Sequence, residues 1–166
     1  MIFKNLSKNF YLNLLFVTII FILDRISKIY VIYLSNQNLI PEIFSSKFLN
    51  ISLIWNEGIA FGLFSFDKNH LYNLLTIVIL FVIIIVFIIM NKSMGIKKYS
   101  LLMILGGAIG NLYDRILYRA VPDFIDFHVG EFHWFIFNFA DIFITLGVII
   151  LILLEVITTE KNYEKN

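Results

Sequence analysis

The 166-residue chain contains no cysteine, which excludes a disulfide framework, a thiol nucleophile and a thiolate metal site. Charge is scarce too. Only 15% of residues are charged and 60% are hydrophobic, where a soluble globule carries roughly 25% and 45–50%. Intrinsic disorder needs low hydrophobicity and high net charge, so it is excluded as well. A formal net charge of +1 leaves no electrostatic footprint for nucleic acid. The chain has no internal repeat, low-complexity tract or domain linker, so residues 1–166 read as one integral-membrane domain.

What the chain does have is long apolar runs. A bilayer core about 30 Å thick needs roughly 20 mostly apolar helical residues to cross it. Leu71–Met90 is uncharged throughout, and Phe135–Leu154 is apolar except for Asn138, Asp141 and Thr145. Phe10–Leu34 contains Asp24, Arg25 and Lys28, and Tyr99–Tyr118 ends on Asn111, Asp114 and Arg115. These four segments predict an all-α membrane protein with four transmembrane helices. The first helix reads as retained, because Asp24-Arg25-Ile26-Ser27-Lys28 offers no small-x-small cleavage site. Lys4, Lys8, Lys92, Lys97, Lys98, Lys161 and Lys165 flank the ends and the short 91–98 connection, which predicts cytoplasmic termini. The two long connections then face outward, with Trp55, Trp134, Phe61, Phe64 and Phe66 as an interfacial belt. Alternation at Leu49–Trp55 and Ile125–Val129 predicts small extracytoplasmic β elements, and the 162–166 tail is expected to fray.

On that topology every intramembrane polar residue falls in the outer half. Asp24 and Lys28 form an i,i+4 pair on the first helix, and Asn111, Asp114 and Arg115 share one face of the third. Asn138, Asp141 and Thr145 repeat the pattern near the outer start of the fourth. Charge inside a bilayer costs at least ~2.5–3.5 kcal/mol per residue, so such a cluster marks a site. Gly107 lies on the polar face of the third helix, while Gly106 and Gly110 form a small-xxx-small pair suited to close helix packing.

Two carboxylates brought together at a membrane surface share one proton, because close like charges cannot both ionise cheaply. The ionised member takes a proton from water while the neutral one donates a hydrogen bond to a carbonyl, which hydrolyses an amide directly. Asp123 and Asp141 are candidates for that pair. The alternative is structural: Asp123 caps a turn, and Asp141 pairs with Arg115 or Lys28. Asp126, His128, Glu131 and His133 resemble metal ligands in composition but lack the H-E-x-x-H and H-x-x-E-H spacings, so no metal is expected. The absence of G-x-S-x-G leaves a serine hydrolase unsupported. Two non-hydrolytic readings stand beside the peptidase. One is a small transporter or channel subunit relaying protons or cations through Asp24, Asp114 and Asp141; the other is an assembly factor docking through the glycine-rich helix.

Five motifs occur in order: Asp24-x-x-x-Lys28; Asn56-Glu57-Gly58-Ile59-Ala60-Phe61; Gly106 to Arg115; Val121-Pro122-Asp123-Phe124-Ile125-Asp126; and Phe137-Asn138-Phe139-Ala140-Asp141. Together they resemble the lipoprotein signal peptidases (signal peptidase II), small four-helix aspartic peptidases of bacterial inner membranes, over nearly the whole chain. The resemblance implies that Asp123 and Asp141 are the catalytic dyad and Asp126 a non-catalytic neighbour. Asn111 and Arg115 would orient substrate or dyad, Asn138 would support the dyad, and Asp24 and Asn56 would line the binding site. Lys28, Gly58 and Ala140 belong to the same binding and supporting set, whereas Asp114, Gly106, Gly107 and Gly110 are structural. One departure is Pro122, where the family often has a β-branched residue; proline removes a backbone donor and fixes φ. The implied substrate is a prolipoprotein carrying a diacylglyceryl group on its cysteine, cut on the N-terminal side of that cysteine. The implied enzyme needs no cofactor, contacts membrane lipid, works as a monomer at the extracytoplasmic face, and has a 35–66 loop able to close over its substrate.

Overall fold

The computed structural model describes residues 8–37, 42–58 and 68–163. Lys4, Lys165, Ile59, Ala60 and the belt residues Phe61, Phe64 and Phe66 lie outside them, as does part of the 35–66 loop. Four long helices account for most of the chain: α1 (Lys8–Gln37), α2 (Lys68–Lys92), α3 (Gly95–Tyr118) and α4 (Phe139–Tyr163). Four strands, β1 (Glu42–Ser45), β2 (Leu49–Asn56), β3 (Val121–Val129) and β4 (Phe132–Phe137), form one antiparallel sheet in the order β1-β2-β3-β4. Tyr72–Lys92 and Phe139–Thr158 are long and apolar enough to cross a membrane.

The helix boundaries follow local chemistry. Gly95, with φ +59°, turns the chain between α2 and α3, and Arg119 closes α3 in the left-handed region at φ 55°. Two expectations change. The small β elements expected beside the helices are joined by β1 and β4 into one four-stranded sheet, and the fourth helix begins at Phe139, not Phe135. Phe132–Phe137 is an apolar aromatic run that pairs with β3 as an edge strand; its composition suits either state. Helix α4 also continues through Tyr163, past the start of the tail expected to fray. Pro122 sits in β3 opposite Trp55 of β2, before the β4 pairing begins at Ile125, so its missing N–H removes no β3–β4 ladder bond.

Packing is inverted relative to a soluble protein. Helix α2 buries Tyr72 and Met90 while leaving Ile77, Phe81, Ile84 and Phe87 exposed. The four buried residues of α1 are Ile20, Asp24, Lys28 and Val31, a stripe facing α3 whose middle is ionic. Helix α3 touches all three other helices and is the hub. One apolar cluster (Met90, Leu101, Leu102, Leu105) fills one end of the bundle; another (Val31, Phe124, Ile125) seals the other end beneath the sheet. The polar residues lie between the two.

Candidate active site

The site is built outward from the start of α4. The carbonyl of Asn138 accepts the first bond of the helix from Ile142 N (3.3 Å). Its side-chain Oδ1 accepts from Asp141 N (3.2 Å), while Asn138 N donates back to Asp141 Oδ2 (3.1 Å). This reciprocal arrangement is a capping box, which satisfies otherwise orphaned N–H groups. Asn138 has one further function. Its Nδ2 donates to Asp123 Oδ1 at 2.6 Å, so one buried amide both starts α4 and joins the two aspartates.

The remaining oxygens are held just as specifically. Asn56 Nδ2 donates to Asp123 Oδ2 (2.9 Å), and Asn56 Oδ1 is fixed by Gly58 N (2.8 Å) in a tight turn. Gly58 has φ +76°, a region that favours glycine. Asn111 Nδ2 donates to Asp141 Oδ1 (2.8 Å), and Asn111 Oδ1 accepts from Lys28 Nζ (2.8 Å). An amide therefore stands between the Lys28 cation and Asp141. Among the described residues neither Asp123 nor Asp141 forms a salt bridge, so the expected alternative pairing of Asp141 with Arg115 or Lys28 is not made. Burial pushes the Asp123 carboxyl up to about 6, aided by the charge of Asp141; the bonds from Asn56 and Asn138 and the charge of Lys28 oppose the rise.

Behind the dyad lies a closed ionic cluster. Lys28 Nζ reaches Asp24 Oδ1 (2.9 Å) and Asp114 Oδ2 (2.7 Å), and all three side chains are fully buried. Arg25 bridges the same carboxylates, at 2.6 Å to Asp24 Oδ2 and 2.6 Å to Asp114 Oδ2 through Nη2, with Nη1 on Asp114 Oδ1. Its guanidinium lies 4.9 Å from the Tyr113 ring centroid, within cation–π range. Two cations meet two anions here. Asp24 also accepts from Ala140 N (3.1 Å), which docks α1 against the positive end of α4. Asp24 and Lys28 are thus buried behind Asp123 and Asp141 and line no open surface.

Sequence spacing singles out the i,i+4 pair of Asp24 and Lys28 and leaves Arg25 out of the site set, although Arg25 is part of the cluster. Its signal was position: a second cation within one helical turn of Lys28, facing a helix that carries Asp114. Arg115 instead donates from Nη1 to the Asn111 carbonyl (3.1 Å), and its Nε is buried without a partner among the described residues. The glycines set spacing. A Cβ at Gly107 would meet the Ala140 carbonyl oxygen at 2.4 Å, one at Gly110 would meet Asp24 Oδ2 at 2.6 Å, and one at Gly106 would meet Ile20 Cβ at 2.8 Å.

An apolar groove of about 180 Å³ opens beside Asp141, lined by Phe135, Phe137, Ile142, Thr145 and Leu146. A larger cavity of about 310 Å³ lies at the opposite end of the bundle between α1, α2 and α3, with no ionisable lining residue. It holds none of the carboxylates of the candidate site. Asp126, His128 and His133 approach one another on the β3–β4 hairpin and are the described residues able to hold a metal.

Residues 16–157 match the family model for signal peptidase (SPase) II. The chain is 52% identical to the lipoprotein signal peptidase of Pelagibacter ubique (strain HTCC1062) over 160 residues, 96% of each chain. It is 42% identical to that of Anaplasma marginale (strain Florida) over 147 residues, 87% of this chain and 84% of the relative. A bacterial membrane enzyme solved by the in meso method superposes with a TM-score of 0.69 at 30% identity, covering 90% of each chain. The chain belongs to the signal peptidase II family of lipoprotein signal peptidases.

Proposed function

We propose that this chain removes the signal peptide from diacylglyceryl-modified prolipoproteins by direct water attack, with Asp123 and Asp141 as the catalytic dyad. One observation carries the assignment: a buried and a half-buried carboxylate, Asp123 and Asp141, are linked through Asn138 and each held by amides and by no cation. A carboxylate in a salt bridge is locked in its ionised form. These two are free to share a proton, and they titrate as a unit.

In the reaction, the ionised aspartate takes a proton from a water placed between the pair. The water oxygen attacks the scissile carbonyl, whose oxygen accepts a hydrogen bond from the protonated aspartate. Collapse of the tetrahedral intermediate breaks the C–N bond. A proton passes to the leaving nitrogen, which becomes the amino group of the lipidated cysteine, and the signal peptide leaves with a new carboxylate. Asn56, Asn111 and Asn138 keep the carboxyl planes in register throughout. The ionic cluster of Asp24, Arg25, Lys28 and Asp114 anchors α1 and α3 behind them, while Gly106, Gly107 and Gly110 allow that approach. Gly58 and Ala140 act through their backbones, and Arg115 lines the α3 side toward the substrate.

The groove beside Asp141 suits the apolar segment of a signal peptide or an acyl chain. We assign four spans to α1–α4, with cytoplasmic termini and the sheet resting on the outer surface of the bacterial inner membrane. A lipid-anchored peptide bond lies at that boundary, and a single copy suffices for the chemistry. The test is cleavage of a diacylglyceryl-prolipoprotein by purified protein. Asp123→Asn and Asp141→Asn should each lower kcat by at least roughly 10²–10⁴-fold. Wild-type activity in either variant sinks the dyad.

A further inference from the structure

The β3–β4 hairpin carries a second cluster that the dyad does not use. A strand hairpin brings ligands together by register, so the helical zinc spacings do not apply to it. His128 and His133 are directly opposed cross-strand partners, and their rings stack with centroids 5.1 Å apart at 24°. Asp126 lies two residues before His128 on β3, across a register shift in the β3–β4 pairing. Its Oδ2 is 2.8 Å from His133 Nδ1. One donor atom from each of the three residues lies within 4.8 Å of the others. Glu131 is exposed and stays outside the group.

Hydrogen bonding within the protein leaves this cluster unsatisfied. Asp126 is only 5% exposed, yet its Oδ1 has no hydrogen-bond partner among the described residues. His128 Nδ1 is likewise buried without one. Native structures seldom leave such atoms unpaired. With His128 in its Nε2–H tautomer both atoms carry lone pairs, and both belong to the same three-residue group, so a single cation would satisfy them together.

We propose that Asp126, His128 and His133 bind one divalent transition-metal ion of the zinc type, distinct from the catalytic dyad. Two imidazoles and one carboxylate form a borderline donor set that suits zinc and leaves a position for water. Tetrahedral bonds of roughly 2.0–2.1 Å put ligand atoms about 3.3 Å apart, so small rotations of the two rings complete the site. The His133 side chain is 50% exposed, which gives the ion a route in and the ring room to turn. Asp123 lies three residues earlier on β3, and strand alternation sends it to the opposite face. The ion therefore braces the strand that carries Asp123 without entering the hydrolysis.

The experiment uses the full chain in detergent micelles, purified without a histidine tag and stripped with a chelator. Zn²⁺ is titrated by calorimetry, and Co²⁺ reports geometry through its visible absorption. The expected result is saturation at one ion per chain, with a Co²⁺ spectrum of low coordination number. Zn²⁺ should raise the unfolding temperature of the wild type. His133→Ala, at a half-exposed position, should weaken binding at least roughly 10–100-fold and abolish that rise. His70→Ala and Asp123→Asn should bind like wild type. Absence of saturable binding overturns the proposal, as does unchanged affinity in both His128→Ala and His133→Ala.

Discussion

Asn138 is the residue on which the site depends most, because its single amide caps α4 through one atom and holds Asp123 through another. Its bond to Asp123 favours the ionised carboxylate, so Asn138→Ala should move that carboxyl above its value of about 6. Asp141→Asn should move it the other way by removing a neighbouring negative charge. Carbon-13 NMR of labelled aspartate, read against pH, separates these opposite shifts. The linkage has a definite sign. Folding raises the Asp123 carboxyl from roughly 3.9 to about 6, so its contribution to stability is complete below that window. The contribution is lost as pH rises through the window, and Asp123→Asn should flatten this part of the unfolding-temperature profile. Asp114 presents a different case. It is fully buried against Arg25 and Lys28, and Asp114→Asn leaves the buried Lys28 and the largely buried Arg25 facing one anion. The expected loss is about 3–5 kcal/mol, measured by denaturation in micelles.

Among the elements, α3 sets the distance at which the others dock. At Gly107 an added methyl meets the backbone of α4, which cannot turn aside, so Gly107→Ala should displace the Ala140–Asp141 turn itself. At Gly106 it meets the Ile20 side chain. Thermal unfolding should therefore rank Gly107→Ala below Gly106→Ala, with overpacking costs of about 1–3 kcal/mol, and activity should follow the same order. The helices were legible because long apolar runs have few alternatives. Asp24 with Lys28 and Asn111 with Asp114 were legible because helical spacing puts each pair on one face. Strand β4 was not, since Phe132–Phe137 has no polar alternation to distinguish it from a helix start. Edge strand β1 has only four residues, too few for a period to show. Nor does spacing identify which carboxylates meet: Asp123 and Asp141 come together through Asn138, a contact that exists only once α4 begins at Phe139.

For the molecule as a whole, the exposed surface of α2 is apolar while the buried interior of the bundle is ionic, which is the pattern of a protein solvated by lipid. Sidedness can be tested directly, because every introduced cysteine is the sole thiol. A cysteine at Glu131, in the exposed hairpin turn, should react with a membrane-impermeant maleimide on intact spheroplasts. One at Ser93, between α2 and α3, should react only after permeabilisation. The reverse result inverts the topology and sets the dyad on the cytoplasmic side.

The shared amide of Asn138 also bears on how a protease is kept harmless while it is being made. Helix α4 follows the strand that carries Asp123, and the proposed dyad cannot close until that helix has wound and seated its first turn beside Gly107. A nascent chain with only three helices in place already holds Asp123, yet it has no partner carboxylate and no amide to orient it. On the proposed assignment, hydrolytic competence therefore waits for α4, so the order of synthesis acts as the safety catch.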